Sequence, residues 1–116
     1  MTVTIYHNSR CSKSRETLAL LEEKQIQPNV ILYLEKPLTV LELQQLAQKL
    51  GIKSVREMMR IKDDLYYSLG LDQPEVSEQQ LLEAMAANPA LLERPIVVNG
   101  EKAKIGRPPE SVFEIL

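Results

Sequence analysis

The stretch "TVTIYHNSRCSKSRETLALLEEKQIQPNVILYL", residues 2–34, decides the fold. Its first five residues alternate β-branched apolar and polar side chains around Val3 and Ile5, which predicts a strand over residues 2–6. Ser12 to Lys24 then runs without Gly or Pro, and Leu18, Leu20 and Leu21 give it a helical apolar face. Gln27-Pro28-Asn29 breaks that helix. Val30 to Leu34 is a nearly continuous apolar run, the pattern of a strand buried on both faces. A strand, a helix and a strand with short joints form a βαβ unit, whose strands are parallel and whose crossover is right-handed.

Outward from this unit the chain turns helical. Thr39 and Glu42 match a capping box, Leu43, Leu46, Ala47 and Leu50 share one helix face, and Gly51 is the terminator. Ser54 with Glu57 predicts a second helix carrying Val55, Met58 and Met59. Ser77 with Gln80 predicts a third carrying Leu81, Leu82 and Met85, and Asn88-Pro89 closes it. Beyond Arg94-Pro95, Ile96-Val97-Val98 reads as a strand, Asn99-Gly100 as a hairpin turn and Lys102 to Ile105 as the returning strand. Gly106 ends that strand, and Pro108-Pro109-Glu110 opens a last helix. The order is β-α-β, a helical insertion over about 39–90, then β-β-α, with no repeat or linker, so residues 1–116 read as one α/β domain.

Composition narrows the function classes. The 116 residues are enough to bury a core without staples, and a net charge of −2 does not suit coating nucleic acid or an anionic membrane. No apolar run approaches a membrane span, and MTVTIYHN lacks the pattern of an export signal, which makes the cytoplasm the expected compartment. The chain has one Cys and one His, four residues apart, which is too little for a metal site.

Cys11 is the chemical centre of this reading. It falls where a strand ends and a helix begins, among Arg10, Lys13 and Arg15. Unpaired N–H groups at a helix N-terminus and nearby cations both favour a thiolate. Arg15, four residues on, shares its helix face, and the hydroxyls of Ser12 and Ser14 are possible donors. A core cysteine would have apolar neighbours, whereas this one has Arg, Ser and Lys. His7 allows two readings, tuning of the thiol or a local hydrogen bond at the strand end. Cys11-Ser12-Lys13-Ser14 lacks the second thiol of a C-x-x-C pair, so a resolving thiol must come from another molecule. Position 17 is Thr, which excludes the C-x5-R loop of a phosphatase.

Taken together, several separated motifs give the chain a family likeness. His7-Asn8, Cys11, Ser14-Arg15, Tyr33-Leu34, Arg60, Glu93-Arg94-Pro95-Ile96-Val97-Val98 and Ile105-Gly106-Arg107-Pro108-Pro109-Glu110 stand in the order found in glutaredoxin-coupled arsenate reductases. The whole chain resembles that family, in a short subgroup marked by "RCSKSR". The resemblance implies a thioredoxin-like fold with a mixed four-stranded sheet. It implies that Cys11 is the catalytic thiolate, that His7 and Ser14 tune it, and that Arg60, Arg94 and Arg107 bind an oxyanion. Pro95 corresponds to the cis-proline beside the thiol. The implied reaction reduces arsenate with glutathione as co-substrate and glutaredoxin as partner, with no bound cofactor, nucleic acid or membrane.

Two other classes share parts of the pattern. One is an Spx-type regulator that binds RNA polymerase and usually senses oxidation through a C-x-x-C that is missing here. The other is a glutathione-dependent thiol oxidoreductase acting on mixed disulfides, which would not need an arginine clamp.

Overall fold

A computed structural model describes residues 2–116. Four strands, β1 (Val3–His7), β2 (Asn29–Leu32), β3 (Ile96–Asn99) and β4 (Lys102–Ile105), form one mixed sheet in the order β2-β1-β3-β4. Four α-helices follow the chain order as α1 (Ser12–Glu23), α2 (Val40–Leu50), α3 (Asp64–Ser68) and α4 (Glu78–Ala87). The protein is α/β, with a β-α-β unit at its start and, after the helical insertion, a β-β hairpin followed by a last helical segment, the order the sequence predicts. By contact density the chain divides into two compact units, Met1–Lys36 with Arg94–Leu116, and Pro37–Glu93.

The first unit holds the sheet. β1 is central and alternates buried and half-buried residues, as a strand covered mainly on one face must. It pairs in parallel with β2, Ile5 opposite Val30, and antiparallel with β3, Ile5 opposite Val97. Val3, Ile5, Leu21, Val97 and Val112 form the core cluster, with Leu18, Ile26 and Ile115 packed against it. The buried stripe of α1 runs through Ser14, Thr17 and Leu21, so two of its three buried residues are polar.

Four expectations change here. The 30–34 run is not a doubly buried strand. Its strand is Asn29–Leu32 and lies at the sheet edge, leaving Val30, Leu32 and Leu34 exposed, because the chain places the β3–β4 hairpin on the other side of β1. The hairpin loop is Gly100-Glu101, since Asn99 still pairs with Lys102. Gly100, at φ +63°, takes the left-handed position, while the Asn99 amide donates to the Ile115 carbonyl at 2.6 Å. The final helix is a 3₁₀ run, Pro109–Ile115. The helix expected after Ser54 is also a 3₁₀ turn, Val55–Met58.

The second unit is the helical insertion. Complete capping boxes open α2 at Thr39 and α4 at Ser77, and Gly51 ends α2 at φ +69°. The Ser54 box is present too, and the Glu78 carboxylate accepts from the Ser54 hydroxyl and the Val55 N–H. Arg56 is a tie here, donating to the Tyr66 hydroxyl and to the Leu71 and Gln73 carbonyls. α3 has no counterpart in the sequence reading, because five residues are too short for a periodic signal.

Candidate active site

The sheet register assembles the site from distant sequence. β1 ends at His7, and Tyr6 lies opposite Ile96 at the start of antiparallel β3. Ile96 in turn lies opposite Ile105 at the end of β4. The residues just after β1, just before β3 and just after β4 therefore meet at one end of the sheet. These are Cys11, Arg94-Pro95 and Arg107.

The β1–α1 connection is a tight turn. The Cys11 N–H donates to the Asn8 carbonyl at 3.0 Å, and the Asn8 side-chain oxygen accepts from the Arg10 N–H at 3.0 Å. Cys11 is the N-cap of α1, in extended conformation, so its sulfur sits where the first N–H groups of the helix lack intrahelical acceptors. Burial pushes this thiol's pKa up. The Ser14 N–H, the Arg94 side chain, the Lys13 N–H and the Arg94 charge outweigh that, and the net result is a lowered pKa.

Arg107 adds a second guanidinium. Its Nη2 lies 3.6 Å from the Cys11 sulfur, while its Nε donates to the Arg94 carbonyl at 2.8 Å. The two arginines are thus tied to each other as well as to the thiol. Arg94-Pro95 and Arg107-Pro108 are both cis peptide bonds. Between them, the Gly106 N–H donates to the Pro95 carbonyl at 2.9 Å. A Cβ on Gly106 would lie 2.6 Å from Thr17 Oγ1 and 2.9 Å from Pro95 Cγ, so this approach requires glycine.

The histidine makes the local bond, not a direct contact with sulfur. His7 is 6% exposed, and its Nδ1 lies 2.6 Å from the Ser14 hydroxyl. That hydroxyl also accepts from the Asn8 N–H at 3.0 Å. A fully buried hydroxyl must place its own proton, and among the described residues His7 Nδ1 is the acceptor within reach. The imidazole therefore carries its proton on Nε2. Burial first, and then the Arg15 charge, lower its pKa, so it is neutral at pH 7. The Ser14 hydroxyl is thereby committed away from the thiol, and only its backbone N–H serves the sulfur. Arg15 also differs from expectation. Its guanidinium donates to the Ser9 carbonyl at 2.9 Å, bracing the loop.

Arg60 belongs to the other unit. Its Nε pairs with Asp63 at 2.7 Å and its Nη1 with Glu93 at 3.0 Å. Its backbone is fixed too, since the Arg60 N–H donates to the Leu91 carbonyl and Met59 bridges Leu92. The parts that Asn8, Thr17 and Gly106 play in holding the site were not read from the sequence. Asn8 at a strand end carried an Asx-turn signal, but the other two serve through contacts that no local pattern reveals.

No helix among the described residues is long and apolar enough to cross a membrane. Within the first unit, the arrangement holds a partly exposed thiol of lowered pKa against two guanidiniums and two backbone N–H groups. Such a group can attack an electrophile that arrives as an oxyanion.

Comparison with known proteins gives the same emphasis. The model of the ArsC family matches residues 6–115. A protein of Haemophilus influenzae named "Arsenate reductase" is 63% identical over the full length of both chains. A protein of Escherichia coli K12 named "Uncharacterized protein YfgD" is 56% identical over 98% of this chain and 96% of that one. The solved structure titled "Arsenate reductase from Vibrio cholerae" superposes with a TM-score of 0.99 at 56% identity, covering 100% of this chain and 98% of its own.

Proposed function

The chain belongs to the ArsC family, and we propose that it is an arsenate reductase whose nucleophile is Cys11. The observation that carries this reading is the meeting of Cys11, Arg94 and Arg107 at one end of the sheet. Arsenate is a tetrahedral oxyanion, and guanidinium groups bind such anions in planar, bidentate geometry.

The Cys11 thiolate attacks arsenic. An S–As bond forms, an As–O bond breaks, and the departing oxygen takes up protons and leaves as water. Arg94 and Arg107 hold the remaining oxygens and stabilise charge in the transition state. Arg60 is carried as an oxyanion arginine on the family resemblance alone; within its own unit Asp63 and Glu93 fix its guanidinium. His7 is a positioning residue. It anchors the Ser14 hydroxyl, and Ser14 in turn presents its N–H to the sulfur.

The chain's single cysteine cannot supply the two electrons needed for reduction without a second thiol. Glutathione adds to arsenic with loss of a second water. A glutaredoxin thiolate then takes the glutathione sulfur as a mixed disulfide, and the As–S electron pair stays on arsenic, reducing As(V) to As(III). Hydrolysis of the remaining S–As bond releases arsenite and returns Cys11. The sum is dihydrogen arsenate plus two thiols and a proton giving arsenous acid, a disulfide and water. The chemistry draws on a thiol pool kept reduced, which assigns the protein to the cytoplasm.

The test is arsenate-dependent NADPH oxidation in the presence of glutathione, glutaredoxin and glutathione reductase. Wild type turns over and Cys11→Ser does not. If wild type is as inactive as Cys11→Ser at saturating arsenate, the assignment fails.

A further inference from the structure

Beside the β1–α1 turn lies an open cleft of about 270 Å³. One wall is His7, Ser9 and Arg10, and the other is Leu32, Leu34 and Glu35. The parallel register explains the pairing, since His7 lies opposite Leu32. Leu34 and Glu35 ride the turn that closes β2, where the Glu35 N–H donates back to the Leu32 carbonyl at 3.0 Å. None of the steps assigned to Arg94 and Arg107 uses this cleft.

Its lining has the character of a site. Leu32 and Leu34 keep 40% and 43% of their surface in water. Arg10 and Glu35 are both exposed, and they place a cation on one wall and an anion on the other. Between them lies His7, more than nine-tenths buried, with Nδ1 held by Ser14. Its Nε2–H has no hydrogen-bond acceptor among the described residues, and His7 is one of the residues that line the cleft. Arg10 precedes Cys11, and the Cys11 N–H binds the Asn8 carbonyl of the same turn, so whatever fills the cleft lies against the thiol's own loop.

We propose that this cleft seats the small peptide thiol, of the glutathione class, that attacks arsenic held on Cys11. The proposal rests on the arsenate reading of Cys11, because that chemistry requires a thiol from outside the chain. A zwitterionic peptide thiol matches the lining. Its carboxylates suit Arg10 and the His7 donor, its ammonium group suits Glu35, and its methylenes lie on Leu32 and Leu34. The cleft's volume suits part or all of a tripeptide.

The test separates the seat from the reaction. Cys11→Ser is titrated with S-methylglutathione, which has no reactive sulfur, and amide shifts are followed by NMR. Saturable shifts concentrated at residues 7–10 and 32–35 are expected, with Arg10→Glu and Leu34→Asp each weakening binding at least about fivefold. Both positions are exposed, and thermal melts check that the variants fold. In turnover assays with Cys11 intact, the same changes raise half-saturating glutathione by more than they raise half-saturating arsenate. Absent or scattered shifts would overturn the proposal, as would shifts at these amides caused by glutaredoxin but not by S-methylglutathione. A wild type without arsenate turnover that still binds S-methylglutathione here would sink the reductase reading and leave the seat standing. Normal turnover with an unaltered glutathione response in both variants would do the reverse.

Discussion

Gly106→Ala tests how the site is braced. The new Cβ would stand 2.6 Å from Thr17 Oγ1, 3.2 Å from Thr17 Cγ2 and 2.9 Å from Pro95 Cγ. None of these atoms is the loose end of a flexible chain. Thr17 is fully buried, β-branched, and donates to the Lys13 carbonyl at 2.8 Å. Pro95 is a buried ring whose carbonyl accepts from Gly106 itself. Either Thr17 leaves its hydrogen bond or residue 106 backs away from Pro95. Forced overpacking costs about 1–3 kcal/mol, and a lost buried hydrogen bond adds about 1 kcal/mol. The expected loss is roughly 2–4 kcal/mol, a fall of about 1–2 M in the urea midpoint at a slope near ~2 kcal/mol/M. Arg107 is the next residue, so its guanidinium should leave the sulfur and the alkylation of Cys11 should slow at fixed pH. Thr17→Ala removes two of the three close contacts. The double variant should therefore lose less than the sum of the singles, by about 1 kcal/mol or more. A Gly106→Ala protein within about 0.5 kcal/mol of wild type, or strictly additive losses, would refute the reasoning.

Three further outcomes follow from the same geometry. The pH midpoint for iodoacetamide alkylation of Cys11 should lie below the free thiol value of about 8.5, and Arg94→Gln should raise it; an unmoved midpoint in that variant would remove Arg94 from the thiol's environment. Because the folded pKa of His7 is depressed, the unfolded chain binds more protons below about pH 6.5, so stability should fall on acidification by up to about 1.4 kcal/mol per pH unit, and His7→Asn should flatten that slope in urea titrations. In the helical unit, Thr39→Ala removes the acceptor of the Glu42 N–H and should cost about 1 kcal/mol of unfolding free energy, with Thr39→Ser close to wild type.

The sequence displayed whatever depended on periodicity, and it hid whatever depended on strand order. Alternation around Val3 and Ile5, the capping pairs at Thr39 and Ser77, and the polar setting of Cys11 are local signals, and each element formed where they point. Val30, Leu32 and Leu34 misled because hydrophobicity records what a residue could bury, not whether a neighbouring strand exists to cover it. Ser14 and Thr17 are the opposite case, polar residues that are fully buried. Polar residues on a buried helix face look like a break in the pattern until their partners, His7, the Asn8 N–H and the Lys13 carbonyl, are known. Gly106 read as a strand terminator, whereas its need for glycine comes from Thr17, far away in the chain.

The same separation explains why the thiol was legible from its own neighbours and its arginines only through the family likeness. A helix N-terminus acts on the residue that caps it, so Cys11, Lys13 and Ser14 carry their interaction within four positions. Arg94 and Arg107 reach the sulfur only because two antiparallel registers, Tyr6 to Ile96 and Ile96 to Ile105, bring the strand ends level. Moving the β3–β1 register by two residues would keep every buried face buried, yet shift Arg94 and Arg107 together by about 7 Å along the strand. The arginine clamp is therefore specified by whatever fixes the register. At this end of the sheet those contacts are the hydrogen bond from Gly106 to Pro95 and the packing of Gly106 on Thr17, which ties the hairpin to α1. Thr17 lies on the same buried stripe as Ser14, so one helix face aligns both the N–H that serves the thiolate and the strand end that delivers Arg107.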